Sequence, residues 1–75
     1  MIHGLILARA TAKAATTVPE EAKKIKGVTD AYPVFGRFDL TVFLEAKDFE
    51  ELKSAALKVN AIAGIKSTET LVEAT

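Results

Sequence analysis

The chain has 75 residues, of which 49% are hydrophobic and 27% charged, and its ten basic side chains balance its ten acidic ones. This composition excludes a disordered chain, and the zero net charge gives no field to attract nucleic acid or an anionic membrane. With no Cys and a single His, disulfides and a metal site are not available to supplement a small core. We therefore expect one domain over residues 1–75, without a cofactor, that is completed by a partner subunit.

The first half of the chain predicts a strand followed by a short helix. The strand spans about Ile2 to Ala10 and is too short and too interrupted for a signal peptide or a membrane span, so we expect a cytoplasmic protein. The helix begins at a capping box, Thr17 to Glu20, in which each end side chain would bind a free backbone N–H group. Gly27 ends it. Its apolar face consists of Val18, Ala22 and Ile25.

A hairpin follows, with strands at about Val28 to Phe35 and Phe38 to Ala46 and a turn at Gly36. A single carboxylate, Asp39, stands at the head of the third strand, where Asp is unfavourable. One interpretation is structural: Asp39 accepts hydrogen bonds from backbone donors of the turn at Gly36 and Arg37. The other is functional: Asp39 binds the ammonium group of a ligand.

The last third predicts a second helix and a fourth strand. Asp48 and Glu51 form a capping box, Gly64 ends the helix, and the strand spans about Ile65 to Val72. An offset of 37 residues aligns Ile25 with Ile62 and Gly27 with Gly64, so the two halves follow one plan. The apolar stripe of the second helix consists of Phe49, Leu52, Ala56, Val59 and Ala63.

The resulting order, βαββαβ, predicts a ferredoxin-like α+β sandwich: a four-stranded antiparallel sheet with both helices on one face. The other face would mix Leu5, Leu7 and Phe43 with Thr41, and we also place Thr68 and Thr70 there, with Glu69 on the helix side. Such a face is too apolar for open water. We expect it to pack on a second sheet in a twofold dimer.

Little in the chain points to catalysis or to RNA binding. There is no Cys nucleophile, no Ser/His/Asp set and no metal-ligand spacing, so we predict no catalytic and no metal-binding residue. A βαββαβ sheet that binds single-stranded RNA needs aromatic residues in its central strands and basic residues around them, whereas here the first strand has no aromatic residue and the third has no basic residue after Asp39. Thr68 and Thr70 are either plain strand formers or hydrogen-bonding groups for a small polar ligand.

The segments VTDAYPVFGRFDLTVFLEAKDFEEL and GIKSTETLV resemble the effector-binding (RAM) domain of Lrp/AsnC transcription regulators. The resemblance lies in a G-x-[FY]-D turn, Gly36 to Asp39, and a T-x-T strand, Thr68 to Thr70. It implies sheet-to-sheet homodimers of the dimeric α/β-barrel type, further assembly into rings of dimers, and an amino acid or related effector bound between dimers. It also implies a ligand-binding set made of Gly36, Phe38, Asp39, Thr68 and Thr70.

Full-length members carry a helix-turn-helix before this domain, whereas here the first strand follows Met1 directly. The expected function is therefore amino-acid sensing that affects transcription indirectly, by mixed assembly with full-length relatives, without catalysis or direct contact with nucleic acid. Two alternatives stay open. One is a purely structural oligomerisation module, and the other is a small enzyme of the dimeric α/β-barrel type.

Overall fold

The computed structural model describes residues 1–34 and 36–73. Four strands form one antiparallel sheet in the order β2-β3-β1-β4, and two α-helices pack against the same face of it. This is the predicted ferredoxin-like arrangement. The predicted end of the second strand at Phe35 lies outside the described residues. The elements are β1 (Ile2–Ala10), a 3-10 turn (Ala14–Thr16), α1 (Val18–Lys23), β2 (Val28–Pro33), β3 (Leu40–Ala46), α2 (Phe49–Asn60) and β4 (Ile65–Val72).

The core lies between the sheet and the two helices. Alternate residues of the central strands are fully buried, including Ile6 of β1 and Val42 of β3, which are direct partners in the sheet. The edge strand β2 is irregular: its pairing shifts between Val28 and Asp30, and it ends at Pro33, which has no N–H group to donate. Beyond Pro33, the N–H of Val34 donates to the carbonyl oxygen of Asp39 at 3.0 Å.

Helix α1 is short and is not capped as predicted. The Thr17 hydroxyl donates to the carbonyl oxygen of Ala14 at 3.2 Å, and α1 has no side-chain N-cap. The reason is that the chain is already helical at this point, since the 3-10 turn at Ala14–Thr16 leads directly into α1 and Thr17 itself has helical dihedral angles. An N-cap needs an extended residue. The predicted burial of Val18 and Ala22 is confirmed.

Helix α2 is twice as long and properly capped. Asp48 is extended, and its Oδ1 accepts a hydrogen bond from the backbone N–H of Glu51 at 2.9 Å. Two predicted members of the apolar stripe are wrong. Phe49 is 56% exposed because it lies on the side of α2 beyond edge strand β4, and Ala63 is exposed because the helix has ended at Asn60. The buried residues of α2 are Leu52, Ala55 and Val59.

Gly27 and Gly64 have the predicted left-handed conformation, with φ of +102° and +98°. They do not cap the helices as predicted, because α1 ends at Lys23 and α2 at Asn60, several residues earlier. Gly64 is also needed for its small size, since a Cβ atom there would overlap the Cβ of Ala14. Its carbonyl oxygen accepts from the N–H of Thr11 at 2.9 Å. The turn between α2 and β4 therefore packs directly on the segment between β1 and α1.

The second face of the sheet has no helix over it, and we call it the open face. Its middle is apolar, and the rings of Tyr32 and Phe43 are 5.7 Å apart between centroids. Strand alternation and register place on it Asp30 and Tyr32 of β2, Thr41, Phe43 and Glu45 of β3, His3, Leu5, Leu7 and Arg9 of β1, and Ser67, Glu69 and Leu71 of β4.

The predicted facing of β4 is wrong. Thr68 is paired with Ala8 and Thr70 with Ile6, and both β1 partners point towards the helices, so the two threonines do as well. Glu69 is on the open face instead. The strand has polar residues on both faces, so its own pattern does not specify which face is buried, and pairing with β1 decides it.

Candidate functional site

The structure forms a cleft between α1 and edge strand β2, which we call the α1 cleft. Its volume is about 550 Å³, which is within the usual range for small-molecule sites. The cleft exists because α1 is short and runs off the 3-10 turn, so it does not fill the space above the outer part of β2. Its lining consists of Ala15, Thr16, Pro19, Glu20 and Lys23 from the helical segment, Ala31, Tyr32, Pro33 and Val34 from β2 and its end, and Asp39.

The cleft combines an apolar floor with charges of both signs. Pro19 and Ala31 are buried, whereas Glu20 and Lys23 are exposed. These two charged residues are three positions apart on α1, so their side chains leave the same side of the helix. Together with Asp39 they provide one cation and two carboxylates around a partly apolar space. One cationic donor and two carboxylate acceptors complement a molecule that carries both a carboxylate and an ammonium group.

Asp39, the carboxylate that was singled out from the sequence, lines this cleft and has a structural role that neither interpretation foresaw. Its Oδ2 accepts a hydrogen bond from the backbone N–H of Ala10 at 2.9 Å. The pairing of β1 with β4 shifts between Arg9 and Ala10, so this carboxylate satisfies a donor at an irregular point of β1. The backbone donor that this carboxylate oxygen satisfies is therefore in β1, whereas the structural interpretation had placed it in the turn at Gly36 and Arg37.

Gly36 and Phe38, the other two residues of the G-x-[FY]-D turn that were assigned to ligand binding, are close to Asp39 in the sequence. Gly36 is exposed with φ of +125°, and a Cβ atom there would meet nothing within 4 Å. Its backbone is thus open to close approach by another molecule. Phe38 is half-buried immediately before Asp39. Gly36, Phe38 and Asp39 therefore form one local unit, as the turn motif implies.

Thr68 and Thr70 do not converge with this unit. Strand β1 lies between β3 and β4, and both threonines are turned towards α2. The hydroxyl of Thr68 donates to Oδ1 of Asn60, at the end of α2. Thr70 lines a separate groove of about 190 Å³ between α2 and β4, with Phe49, Leu52, Lys53, Ala56, Leu57 and Val72. Within one subunit the five predicted residues therefore occupy two places.

Comparison with known proteins identifies the family. The family model described as the Lrp/AsnC ligand binding domain matches residues 2–73. This chain belongs to the Lrp/AsnC ligand-binding domain family. The resemblance seen in the turn and in the T-x-T strand is confirmed, and a regulatory, effector-binding domain is the class of protein in which the α1 cleft has to be understood.

Solved structures agree with this assignment. The Lrp/AsnC domain superimposes on TTHA0845 from Thermus thermophilus with a TM-score of 0.92 and 28% identity, over 100% of this chain and 95% of that one. It also has the fold of E. coli AsnC, with a TM-score of 0.86 and 22% identity over 99% of this chain and 51% of that one.

One curated relative is an enzyme. Over 55 residues, 73% of this chain, the domain is 36% identical to homocitrate synthase of Sulfolobus acidocaldarius. The chain spans only 12% of that relative's length. The similarity therefore concerns one segment of the synthase.

Sequence reasoning missed the contribution of α1 to the cleft. Glu20 was assigned to a capping box, and Lys23 was not assigned to any site. The available signal was their spacing of three residues, which predicts a common side of the helix. The pattern T-x-x-E concealed it because it is typical of a cap.

A second cluster was also missed, at one end of the open face. The imidazole of His3 bridges two carboxylates: its Nδ1 is 2.9 Å from Oε1 of Glu73, and its Nε2 is 3.1 Å from Oε2 of Glu45. The hydrogen bond with Glu73, followed by that with Glu45, raises the pKa of His3 above its usual 6.5. Conversely, the hydrogen bonds with His3 lower the pKa of Glu73. The three groups form one charge-coupled cluster.

Metal-binding clusters and membrane-spanning helices are both absent from the described part of the chain. In residues 1–34 and 36–73 there is no group of three or more His, Cys, Asp or Glu side chains arranged to hold a metal ion. Within the same ranges no helix is long and apolar enough to cross a membrane.

Proposed function

We propose that this Lrp/AsnC domain senses an amino acid, which binds in the α1 cleft, and that binding alters how copies of the domain assemble with each other or with a regulator. One observation supports this most: Lys23, Glu20 and Asp39 surround a cleft with an apolar floor. The family gives the class of function, and this arrangement suggests the class of effector.

The charges match the groups of a free amino acid. Lys23 provides a cation for the effector's carboxylate, and Asp39 and Glu20 provide acceptors for its ammonium group. The floor formed by Pro19 and Ala31 then accommodates an apolar part of the effector. In this proposal Gly36 and Phe38 shape the mouth of the cleft. Thr68 binds Asn60 at the end of α2, Thr70 lines the separate groove, and in this proposal neither contacts the effector.

The proposed assembly unit is a homodimer formed through the open face. This face has no covering element and exposes Tyr32, Phe43 and Leu71 at 42%, 37% and 49%, which is unfavourable in water. The α1 cleft opens at the β2 edge of the sheet and shares Tyr32 with the open face, so in this proposal effector binding and dimer formation are linked through that side chain. The exposed backbone at Gly36 leaves room for a neighbouring dimer to close the cleft, as in a ring of dimers.

The experiment is native mass spectrometry of the purified domain, alone and with a pool of amino acids, followed by calorimetry with any amino acid that is retained. We expect assemblies with an even number of copies that retain one amino acid or a few related ones. Lys23→Gln should weaken binding by about tenfold to a hundredfold, since it removes a charge-assisted hydrogen bond.

Lys24→Gln is the matched control, because Lys24 is the exposed neighbour of Lys23 and does not line the cleft. Equal loss of binding in both variants would contradict the assigned site. An even-numbered assembly that binds no amino acid would favour the purely structural module. Consumption of the amino acid during the experiment would indicate an enzyme.

A second candidate function follows from the similarity to a segment of homocitrate synthase. In this version effector binding by the domain regulates a metabolic enzyme, whereas in the first version it regulates a transcription regulator. The two versions predict different partners in the same experiment. Mixed assembly with a full-length Lrp/AsnC regulator would support the first version, and effector-dependent association with a biosynthetic enzyme would support the second.

A further inference from the structure

The groove between α2 and β4, which contains Thr70 and which we call the α2 groove, is a second concave site of the domain. Its walls are mostly apolar. Phe49 and Leu57 of α2 are more than half exposed, and Val72 of β4 is exposed as well. Leu52 also lines the groove and is buried. Exposed apolar side chains gathered around one concave surface are typical of a binding site.

The α2 groove is the counterpart of the α1 cleft in the internal repeat. The offset of 37 residues carries five of its seven lining residues onto residues that line the α1 cleft. Leu57 of the groove thereby corresponds to Glu20 of the cleft, and Thr70 corresponds to Pro33. The two halves therefore form a concave site at equivalent places, but a carboxylate of the first site is replaced by an apolar side chain in the second.

The polar groups of the α2 groove are few and are free to bind a ligand. Among the described residues that line it, Lys53 carries the one charge and Thr70 the one hydroxyl group. Both ion pairs within residues 1–34 and 36–73 are made by His3, so in these ranges Lys53 has no carboxylate within 4 Å. Glu50, one turn earlier on α2, does not line the groove, and Glu73, which follows β4, binds His3.

This combination determines the chemistry of a matching ligand. One cation and one hydroxyl group beside apolar walls complement a molecule with one carboxylate and an apolar body. An amino acid would also bring an ammonium group, which would lose water without gaining a carboxylate partner among the described lining residues. The volume of about 190 Å³ equals that of about six water molecules, so the ligand is a short-chain acid.

We propose that the α2 groove binds a small apolar monocarboxylate. Lys53 and Thr70 bind its carboxylate, and Phe49 and Leu57 enclose its apolar part. The site is separate from the α1 cleft, so this inference goes beyond the proposed function and does not rest on it.

Three related molecules test the ligand class: 4-methylpentanoate, its uncharged amide 4-methylpentanamide, and L-leucine, which is the same acid with an added ammonium group. Titration of the domain is followed by amide NMR, in which signals of Lys53, Leu57 and Thr70 report the α2 groove and those of Glu20 and Tyr32 report the α1 cleft. We expect 4-methylpentanoate to shift the groove signals. The amide and L-leucine should bind the groove more weakly by about tenfold, the first for lack of charge and the second because of its ammonium group.

Two variants test the assigned residues. Lys53→Gln should raise the dissociation constant of 4-methylpentanoate by about tenfold, since it removes a charge-assisted hydrogen bond. Lys58→Gln is the matched control, because Lys58 is exposed on the same helix and does not line the groove. Leu57→Gln should weaken binding by several-fold, and the amide spectrum of each variant shows directly whether it is folded.

Several results would overturn the inference. These are equal affinities for the acid and its amide, equal losses in Lys53→Gln and Lys58→Gln, and the absence of saturable shifts in the groove signals at millimolar ligand. A Leu57→Gln variant that forms a smaller assembly than the wild type in native mass spectrometry would also overturn it, since the groove would then hold a second copy of the chain. None of these results affects amino-acid binding in the α1 cleft, which has its own NMR signals.

Discussion

The two halves of this domain have the same order of strand, helix and strand, but they differ in the length and capping of the helix. In the second half, α2 has twelve residues, an Asp48 cap and a groove of only about 190 Å³ beside it. In the first half, α1 has six residues and no side-chain cap, and it leaves a cleft of about 550 Å³ above β2. Both halves contribute to the buried core, and the difference between them lies in the helix length and in the cleft that the shorter helix leaves.

This difference begins in the segment between β1 and α1. The chain turns there with a 3-10 helix, and the contact of Ala14 with Gly64 fixes that turn against the end of the second half. The segment that leads into α1 therefore packs on a residue of the other half. Substitutions at this contact, at Asp39 and at the helix caps can measure how much each contributes to the free energy of unfolding.

The largest effect is expected for Gly64→Ala. A Cβ atom at position 64 would overlap the Cβ of Ala14, and the backbone is at φ +98°. Overpacking and left-handed strain together should lower the free energy of unfolding by about 3 kcal/mol. Urea denaturation of the variant measures this loss.

Gly27→Ala, at the equivalent position of the first half, is the control. Its φ is +102°, but the nearest atom, the Cβ of Ala55, is 3.1 Å away. We expect a loss of about 1–2 kcal/mol, mostly from strain. Adding Ala14→Gly should recover part of the stability of Gly64→Ala and none of that of Gly27→Ala. Equal losses without such recovery would show that the halves do not depend on this contact.

These positions also show what the sequence was able to predict. The offset that aligned Gly27 with Gly64 correctly predicted a left-handed glycine after each helix, but the helices end several residues before these glycines. The close approach of Ala14 to Gly64 was not predictable in the same way. It joins residues far apart in the chain through a 3-10 turn for which the sequence has no specific signal.

The next largest effect concerns Asp39, and it separates structure from binding. Asp39→Ala removes the acceptor of the Ala10 N–H group and should lower the free energy of unfolding by about 1–3 kcal/mol. Asp39→Asn keeps a carbonyl oxygen for this bond and should stay close to wild type in stability. If the carboxylate binds an effector's ammonium group, Asp39→Asn should still weaken effector binding.

Chemical denaturation of the two variants measures their stability, and calorimetry measures their effector binding. Normal effector binding by a stable Asp39→Asn variant would restrict Asp39 to its structural role. Severe unfolding of Asp39→Asn would mean that the charge itself is needed at the irregular point of β1.

A smaller effect is expected at the helix caps. Asp48→Ala removes the acceptor of the Glu51 N–H group and should cost about 1 kcal/mol. Thr17→Ala should change stability by only a few tenths of that, because the Thr17 hydroxyl donates to the Ala14 carbonyl and caps nothing. Thermal unfolding of the two variants tests the contrast. A loss for Thr17→Ala as large as that for Asp48→Ala would mean that the first helix is capped after all.

The caps explain where prediction of the candidate site failed. The same pattern, a short polar residue three before a glutamate, stands before both helices, and it acts as a cap only where the first residue is extended. Backbone conformation before α1 is set by packing on the rest of the chain. Glu20 was therefore placed at a helix end, and the cleft that it lines was not anticipated. The error for Thr68 and Thr70 is of the same kind, since only pairing with β1 decides their face.

The smallest and most specific prediction concerns His3, at the end of the open face. Its imidazole is the only one in the chain, so its resonances can be followed by proton NMR without overlap. The pKa of His3 should lie above 6.5, with the hydrogen bond to Glu73 as the largest cause. Glu73→Gln should therefore lower this pKa more than Glu45→Gln does. A pKa at or below 6.5, or a larger effect of Glu45→Gln, would contradict the geometry of the cluster.

The pH dependence of stability follows from the same two shifts. The raised pKa of His3 contributes stability that is fully present below pH 6.5 and is lost as pH rises through the pKa of the folded state. The lowered pKa of Glu73 contributes stability that is present above pH 4.5 and is lost as pH falls through its folded-state pKa. The ion pair is therefore most effective between these limits. Since all three groups are exposed, the effect on unfolding should be small and should vanish in His3→Gln, whereas α2 and its cap should be unaffected.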